Sequence, residues 1–239
     1  MTQQQTFDEA KKAISFAFEN RSSLCEPFLS VIPVSGASVS FLGSTTAQST
    51  ICASDQTAAL LDEFQFDLGE GPCWQAMHTR RPALHPNIQS EANPAWPEFS
   101  SAIRGGGVCA MFAFPLHVNS LEIGAVDLYS SSPGPLTGTQ VAQASALADI
   151  AAWQVLRRVL AEPDDRPEVR AYSRREVHQA TGMVIAQLNV TAQDASLVLR
   201  AHAFSTGRSV REIAHDIVER KLNLSGEETD SPDSSRAIG

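Results

Sequence analysis

The chain has 239 residues, of which 43% are hydrophobic and 19% charged, enough apolar material for packed cores and unlike the composition of a disordered chain. Two ordinary domains are expected at this length. The net charge of −9 argues against a uniformly nucleic-acid-binding surface. The longest nearly apolar stretch, Gly105 to Phe114, is far short of the roughly 20 residues that cross a bilayer, so no membrane partner is expected.

The start, Met1-Thr2-Gln3-Gln4-Gln5, has neither the basic nor the apolar region of a signal peptide, and a cytoplasmic location is expected. Cys25, Cys52, Cys73 and Cys109 are scattered without a C-x-x-C pair. Reduced thiols are therefore expected, with neither a zinc site nor a disulfide framework.

Apolar residues at helical spacing (Phe7, Ala10, Ile14, Ala17 or Phe18, Leu24, Phe28) predict an opening amphipathic helix. From Gly36 the period changes to two, and Ala37 to Leu42 with Thr50 to Ala53 reads as a hairpin. A helix over Gln56 to Phe66 leads into Asp67-Leu68-Gly69-Glu70-Gly71-Pro72, a turn before a short helix at Cys73 to His78. Pro- and Asn-rich Arg81 to Phe99 predicts a short strand near Pro82 to His85 and then irregular chain. Strands follow at Val108 to His117 and Leu121 to Ser130, and a long helix at Thr139 to Leu160 either closes the first domain or forms a dimer seam.

Two prolines and two aspartates in residues 161–167 predict a linker. Three helices account for 168–222, and the Ser-, Asp- and Glu-rich tail 223–239 is expected to be disordered. Thr191-Ala192-Gln193-Asp194 and Ser209-Val210-Arg211-Glu212 resemble capping boxes, placing helix starts just after Thr191 and Ser209. The stripe Val169, Ser173, Val177, Ala180, Val184 and Leu188 marks one face of the first helix, and Ala195, Val198, Leu199, Ala203 and Phe204 mark the second. Lys and Arg number 8 against 17 acidic residues before Arg166, but 9 against 6 from Arg166 to Leu222. That imbalance suits a module that handles an anion.

Catalytic motifs are missing: the chain has no H-E-x-x-H, P-loop, G-x-S-x-G or G-x-G-x-x-G pattern, and no enzyme, cofactor or metal site is expected. Cys73, after Gly71-Pro72, is the one thiol whose place near a helix start suits a lowered pKa, although a buried, inert cysteine is the favoured reading. Phe66, Cys73, Trp74, Trp96, Met111, Phe114 and Tyr129 are candidates for the lining of an apolar small-molecule cleft.

Val177-His178-Gln179-Ala180-Thr181-Gly182-Met183-Val184, Asp194-Ala195-Ser196-Leu197-Val198-Leu199-Arg200-Ala201-His202-Ala203 and Arg208-Ser209-Val210-Arg211-Glu212-Ile213-Ala214 resemble, in order and spacing, the ANTAR domain. Gln65 to Pro72 with Cys73, Pro94 to Phe99, Phe114-Pro115-Leu116 and Gly124 to Ser130 are similar to a GAF domain, over about Phe7 to Leu160. The resemblance implies an α+β GAF sensor, an antiparallel sheet flanked by helices over 7–160, followed by an all-α three-helix ANTAR bundle over 168–222. It implies a homodimer that binds tandem stem-loops in nascent transcripts and prevents terminator formation, touching RNA polymerase only indirectly, with a small-molecule ligand possible in the GAF domain. Members commonly carry a lysine where this chain has Thr181, which removes one phosphate-pairing charge.

RNA loops are held by phosphate neutralisation and by hydrogen bonds and stacking on splayed bases. The candidates are Arg174, Arg175, Gln179, Arg200, Arg208, Arg211 and Lys221. The rival readings are a GAF-type enzyme or redox sensor acting through cysteine, and a protein-interaction signalling module.

Overall fold

The computed structural model describes residues 2–43, 48–90, 93–161, 174–206 and 208–224, with the backbone alone at Phe204. Of the expected linker only Ala161 is described. Val169, Ser173 and residues 225–239 lie outside the described residues, as does the side chain of Phe204. The chain divides into two compact units, Met1–Ser173 and Arg174–Gly239.

The first unit is built on a five-stranded antiparallel sheet of β1 (Gly36–Leu42), β2 (Gln48–Ala53), β3 (Ala83–His85), β4 (Ala110–Val118) and β5 (Leu121–Ser130), in the order β2-β1-β5-β4-β3. Alternation along the strands splits the side chains between two faces. Ala37, Val39, Phe112, Phe114, Leu116, Val126 and Leu128 pack on α1 (Gln3–Ser15), α2 (Glu26–Val31) and α6 (Gly138–Leu160) in the main core. The opposite face carries Met111, Ala113, Ala125, Asp127 and Tyr129 and lies against α3 (Gln56–Leu68), α4 (Pro72–Thr79) and α5 (Pro97–Ala102). Each fully buried Phe or Leu contributes about 1.5–3 kcal/mol relative to exposure. β1 and β5 approach so closely that a Cβ at Gly124 would overlap the Ser40 carbonyl oxygen.

The single opening helix expected over Phe7 to Phe28 is two helices. The chain turns at Arg21, which has φ 51°, and α2 restarts with Pro27 in its first turn, where a missing N–H costs nothing. Helix α5 was not legible in the Pro- and Asn-rich segment. Its N–H groups at Glu98 and Phe99 donate to Glu70 Oε2 at 3.0 and 3.2 Å, so its cap comes from a residue far away in sequence. The expectation of four reduced thiols is also corrected: Cys25 and Cys52 form a disulfide, with Cα atoms 6.3 Å apart. Tertiary folding brings the α2 start against β2, which no local cysteine spacing reveals.

The second unit consists of α7 (Arg175–Leu188), α8 (Ala192–Thr206) and α9 (Val210–Val218). Its core is Val177, Ala180 and Val184 of α7, Ala195, Leu199 and Ala203 of α8, and Val210, Ile213, Ala214 and Ile217 of α9. Asn189, with φ 53°, ends α7. The Asp194 N–H donates to Thr191 Oγ1 at 3.2 Å, and Ser209 with Glu212 closes a reciprocal capping box before α9.

Candidate nucleic-acid interface and sensor interior

In the second unit the apolar stripes are consumed by the core, and basic side chains sit outside them. Arg175, Gln179, Arg208 and Lys221 are exposed, and Arg200 and Arg211 are half-buried. Arg174 is different: it is 5% exposed at the start of α7, so burial withholds it from solvent, unlike the other candidates. Arg208 Nη2 lies 2.7 Å from Asp216 Oδ2, and that hydrogen bond is the largest cause holding the Asp216 carboxyl below its usual range. The Glu212 carboxyl is also lowered, first by the Ser209 backbone N–H, so its charge is committed to the helix cap. Arg220, exposed at φ 58° beside Lys221, adds a cation not singled out from sequence; the Arg220-Lys221 pair itself was the available signal.

Thr181 is 4% exposed, and its Oγ1 donates to the Val177 carbonyl at 2.7 Å. In this chain the position faces the bundle interior, so the threonine fills core space in place of offering a charge to a phosphate. His178, His202 and His215 come from three helices, with His215 Nδ1 3.4 Å from Glu176 Oε2. Among the described residues no group of three or more metal-ligating side chains is present.

In the first unit, a buried polar cluster lies between the sheet and α3. Asp62 is fully buried and accepts hydrogen bonds from Ser38 Oγ at 3.2 Å, Ser40 Oγ at 2.5 Å and Thr50 Oγ1 at 2.7 Å. Gln65 Nε2 donates to Asp127 Oδ2 at 3.2 Å, and Gln65 Oε1 accepts from the Cys73 N–H at 2.8 Å. That second contact needs Gly71: at φ 123°, any Cβ there would press on Gln65 Oε1 at 2.6 Å. Burial, followed by the nearby Asp62 charge, pushes the Asp127 carboxyl well above the ordinary carboxylate range. Its Oδ1 is buried without a hydrogen-bond partner among the described residues, as is Trp96 Nε1.

The candidate cleft residues do not form one set. Trp96, Met111 and Tyr129 meet in one cluster and Phe66, Cys73 and Trp74 in another, all on the α3–α5 side of the sheet. Phe114 is in the main core on the other side. Met111 and Phe114 are three residues apart on one strand, and a period of two sends them to opposite faces. Cys73 is fully buried, and burial, then the Asp127 and Asp62 charges, pushes its thiol well above its usual value. The helix start does not produce a reactive thiolate there.

The GAF domain model matches residues 23–153, more than half of the chain. The chain belongs to the GAF family. The ANTAR domain model matches residues 168–218, so a GAF domain is followed by an ANTAR domain. This architecture is that of an RNA-binding antitermination regulator with a GAF sensor. No curated protein matches the chain. Among solved structures, the GAF domain from an Acinetobacter phosphoenolpyruvate-protein phosphotransferase is 10% identical, with a TM-score of 0.50, covering 69% of this chain and 100% of that one. The chromophore-binding domain of an unusual bacteriophytochrome from R. palustris is also 10% identical at a TM-score of 0.50, covering 68% of this chain and 64% of that one. At such identity the likeness shows the GAF fold alone.

Sequence reasoning missed the Asp62, Gln65 and Asp127 cluster of the GAF domain. The available signal was a charged residue inside the apolar run Gly124-Ala125-Val126-Asp127-Leu128, since a carboxylate in a buried strand needs a reason. No described helix is long and apolar enough to cross a membrane.

Proposed function

We propose that the GAF-ANTAR chain acts as a homodimer on tandem stem-loops of a nascent transcript, preventing terminator formation so that polymerase reads through. The observation that carries this reading is the second unit's division of labour: an apolar core of alanine, valine, leucine and isoleucine inside, and Arg175, Gln179, Arg200, Arg208, Arg211 and Lys221 outside it. Arginines on a small rigid bundle supply both phosphate neutralisation and planar groups for splayed bases. RNA polymerase is affected through the transcript and not by direct contact. The domain limits that fit this reading are 7–160 for the sensor and 168–222 for the RNA-binding bundle, joined by 161–167.

Dimerisation is supported by α6, whose outward side carries Trp153 at 53% and Leu160 at 76% exposure. Large apolar side chains left in water at i and i+7 on a long helix are the ingredients of a helical seam. A small-molecule role for the GAF domain is supported by Asp127 Oδ1 and Trp96 Nε1, which are among its buried polar atoms without a hydrogen-bond partner among the described residues and which a polar ligand can satisfy. Nucleophilic chemistry at Cys73 is disfavoured by its burial and raised thiol pKa.

The test is single-round transcription through a tandem stem-loop leader and its terminator with the purified full chain. Increasing protein is expected to raise the read-through fraction, and mutating either stem-loop is expected to abolish the gain. Unchanged termination at saturating protein on cognate leaders recovered by crosslinking in cells would overturn the reading.

A further inference from the structure

The disulfide stands in an unusual setting for this architecture. A regulator of nascent transcripts works where thiols are held reduced, and in such a compartment a protein disulfide is usually transient and redox-sensing rather than a permanent brace. Cys25 is fully buried in the main core at the start of α2, while Cys52 is half-buried on β2, an edge strand of the sheet. The pairing register shifts between Val39 and Ser40, next to the Val39–Cys52 pair, and such irregular edges adapt more readily than a regular ladder.

Both ends of the bond touch features that matter. On the β2 side, Thr50 donates to buried Asp62 in the sensor interior. On the other, Cys25 closes the connection between α1 and α2, and that connection is gripped by the last turns of α6. Gln154 Nε2 donates to the Ser15 carbonyl at 3.0 Å, and its Oε1 accepts from the Phe18 N–H at 3.3 Å. Arg157 pairs with Glu19 at 2.7 Å and lies 4.4 Å over the Phe18 ring. Arg158 Nη2 donates to the carbonyls of Ala17 and Ser22. From there the chain leaves α6 toward the ANTAR domain.

We propose that Cys25 and Cys52 form a reversible thiol–disulfide couple that sets the hold of the α1–α2 connection on the end of α6, and through it the state of the antiterminator. This rests on the RNA-regulator reading for its compartment and output. The co-reactant is a low-molecular-weight disulfide. The Cys52 thiolate, the more accessible of the two, attacks it and expels one small thiolate, leaving a mixed disulfide on Cys52. The Cys25 thiolate then attacks Cys52 Sγ and expels the second. Two cysteine thiols are oxidised, one small disulfide is reduced to two small thiols, and reduction runs the same steps backwards.

The experiment uses the full chain equilibrated in glutathione buffers from fully oxidised to fully reduced, quenched in acid and denatured, with free thiols counted by maleimide mass shift. Two labels are expected at the oxidised end, on Cys73 and Cys109, rising to four at the reduced end, with the midpoint inside the range of a reducing cytoplasm. Hydrogen exchange of residues 154–160 is expected to change by about fivefold or more between the two states, the lower end of ordinary coupling between sites. The Cys52→Ser chain, which spares the buried Cys25, is expected to exchange like the reduced chain under all buffers. A pair that stays closed in strongly reducing buffer, a pair that never closes, or exchange at 154–160 that ignores the redox state would each overturn the proposal. None of these readouts needs RNA, so they fail or succeed separately from the RNA-binding reading.

Discussion

Replacing Arg208 and Arg211 together by alanine removes two cations from the proposed RNA face without touching the core residues Ile213, Ala214 and Ile217. Each phosphate neutralised by a protein cation contributes about 0.7 for single-stranded to 0.9 for duplex nucleic acid to the slope of log affinity against log salt. Losing two such contacts therefore lowers the slope by about 1.4–1.8, and over a fourfold rise in salt, from about 50 to 200 mM, the ratio of wild-type to variant affinity shrinks about seven- to twelvefold. The structure adds an internal check. Arg208 is held by Asp216 at 2.7 Å, so Asp216 competes with RNA for it, and Asp216→Asn is expected to raise affinity, though only on the order of twofold because exposed pairs are weak. Fluorescence anisotropy of a labelled tandem stem-loop RNA across a salt series measures both effects. Parallel log–log lines for wild type and the double variant would refute the assignment of these arginines to phosphates.

Asp62→Ala strands the hydroxyls of Ser38, Ser40 and Thr50; at about 1–3 kcal/mol per orphaned donor, offset by relief of a buried charge, a net loss of about 2–4 kcal/mol is expected. Calorimetry should show the GAF transition falling by several degrees, and an unmoved transition would mean the cluster is not structural. Asp127 gives a pH signature. Its folded carboxyl is raised above the unfolded value of 3.8, so the folded state binds its proton more tightly, and this group's penalty on stability grows as pH rises through that window. Asp127→Asn is thus expected to stabilise the GAF domain near neutral pH, by a margin over wild type that vanishes as pH falls toward the unfolded pKa; a pH-independent margin contradicts the cause given. If the proposed α6 seam pairs two chains, Trp153→Glu with Leu160→Glu is expected to halve the mass seen by light scattering and to weaken binding to tandem, but not single, stem-loops; an unchanged mass would remove the seam from the account.

Much of the fold is written in local pattern. The switch from period 3.6 to period two at Gly36, the Thr191 and Ser209 helix starts and the long α6 stripe are all set by neighbours within a few residues, where propensity and capping act. What escaped depends on distant partners. Helix α5 takes its N-terminal hydrogen bonds from distant Glu70, and the Cys25–Cys52 bond forms because α2 is brought to the sheet edge. The site shows the same division. Exposed cations such as Arg175 and Lys221 follow from the polar side of a helical pattern. The interior position of Thr181 was hidden by a family expectation of lysine, and Arg174 is buried where the sequence offered only another charge. Aromatic and apolar character alone groups Phe114 with Met111, but strand parity separates them and puts Phe114 in the main core.

The most direct measurement is equilibrium binding of the purified full chain, reduced and oxidised, to tandem stem-loop RNA against an unstructured RNA of equal length at low ionic strength. The account predicts tighter binding to the stem-loops, falling steeply with salt and weakened when Arg175, Arg200, Arg208 and Arg211 are neutralised together. Equal or undetectable binding to both RNAs in either redox state would contradict it.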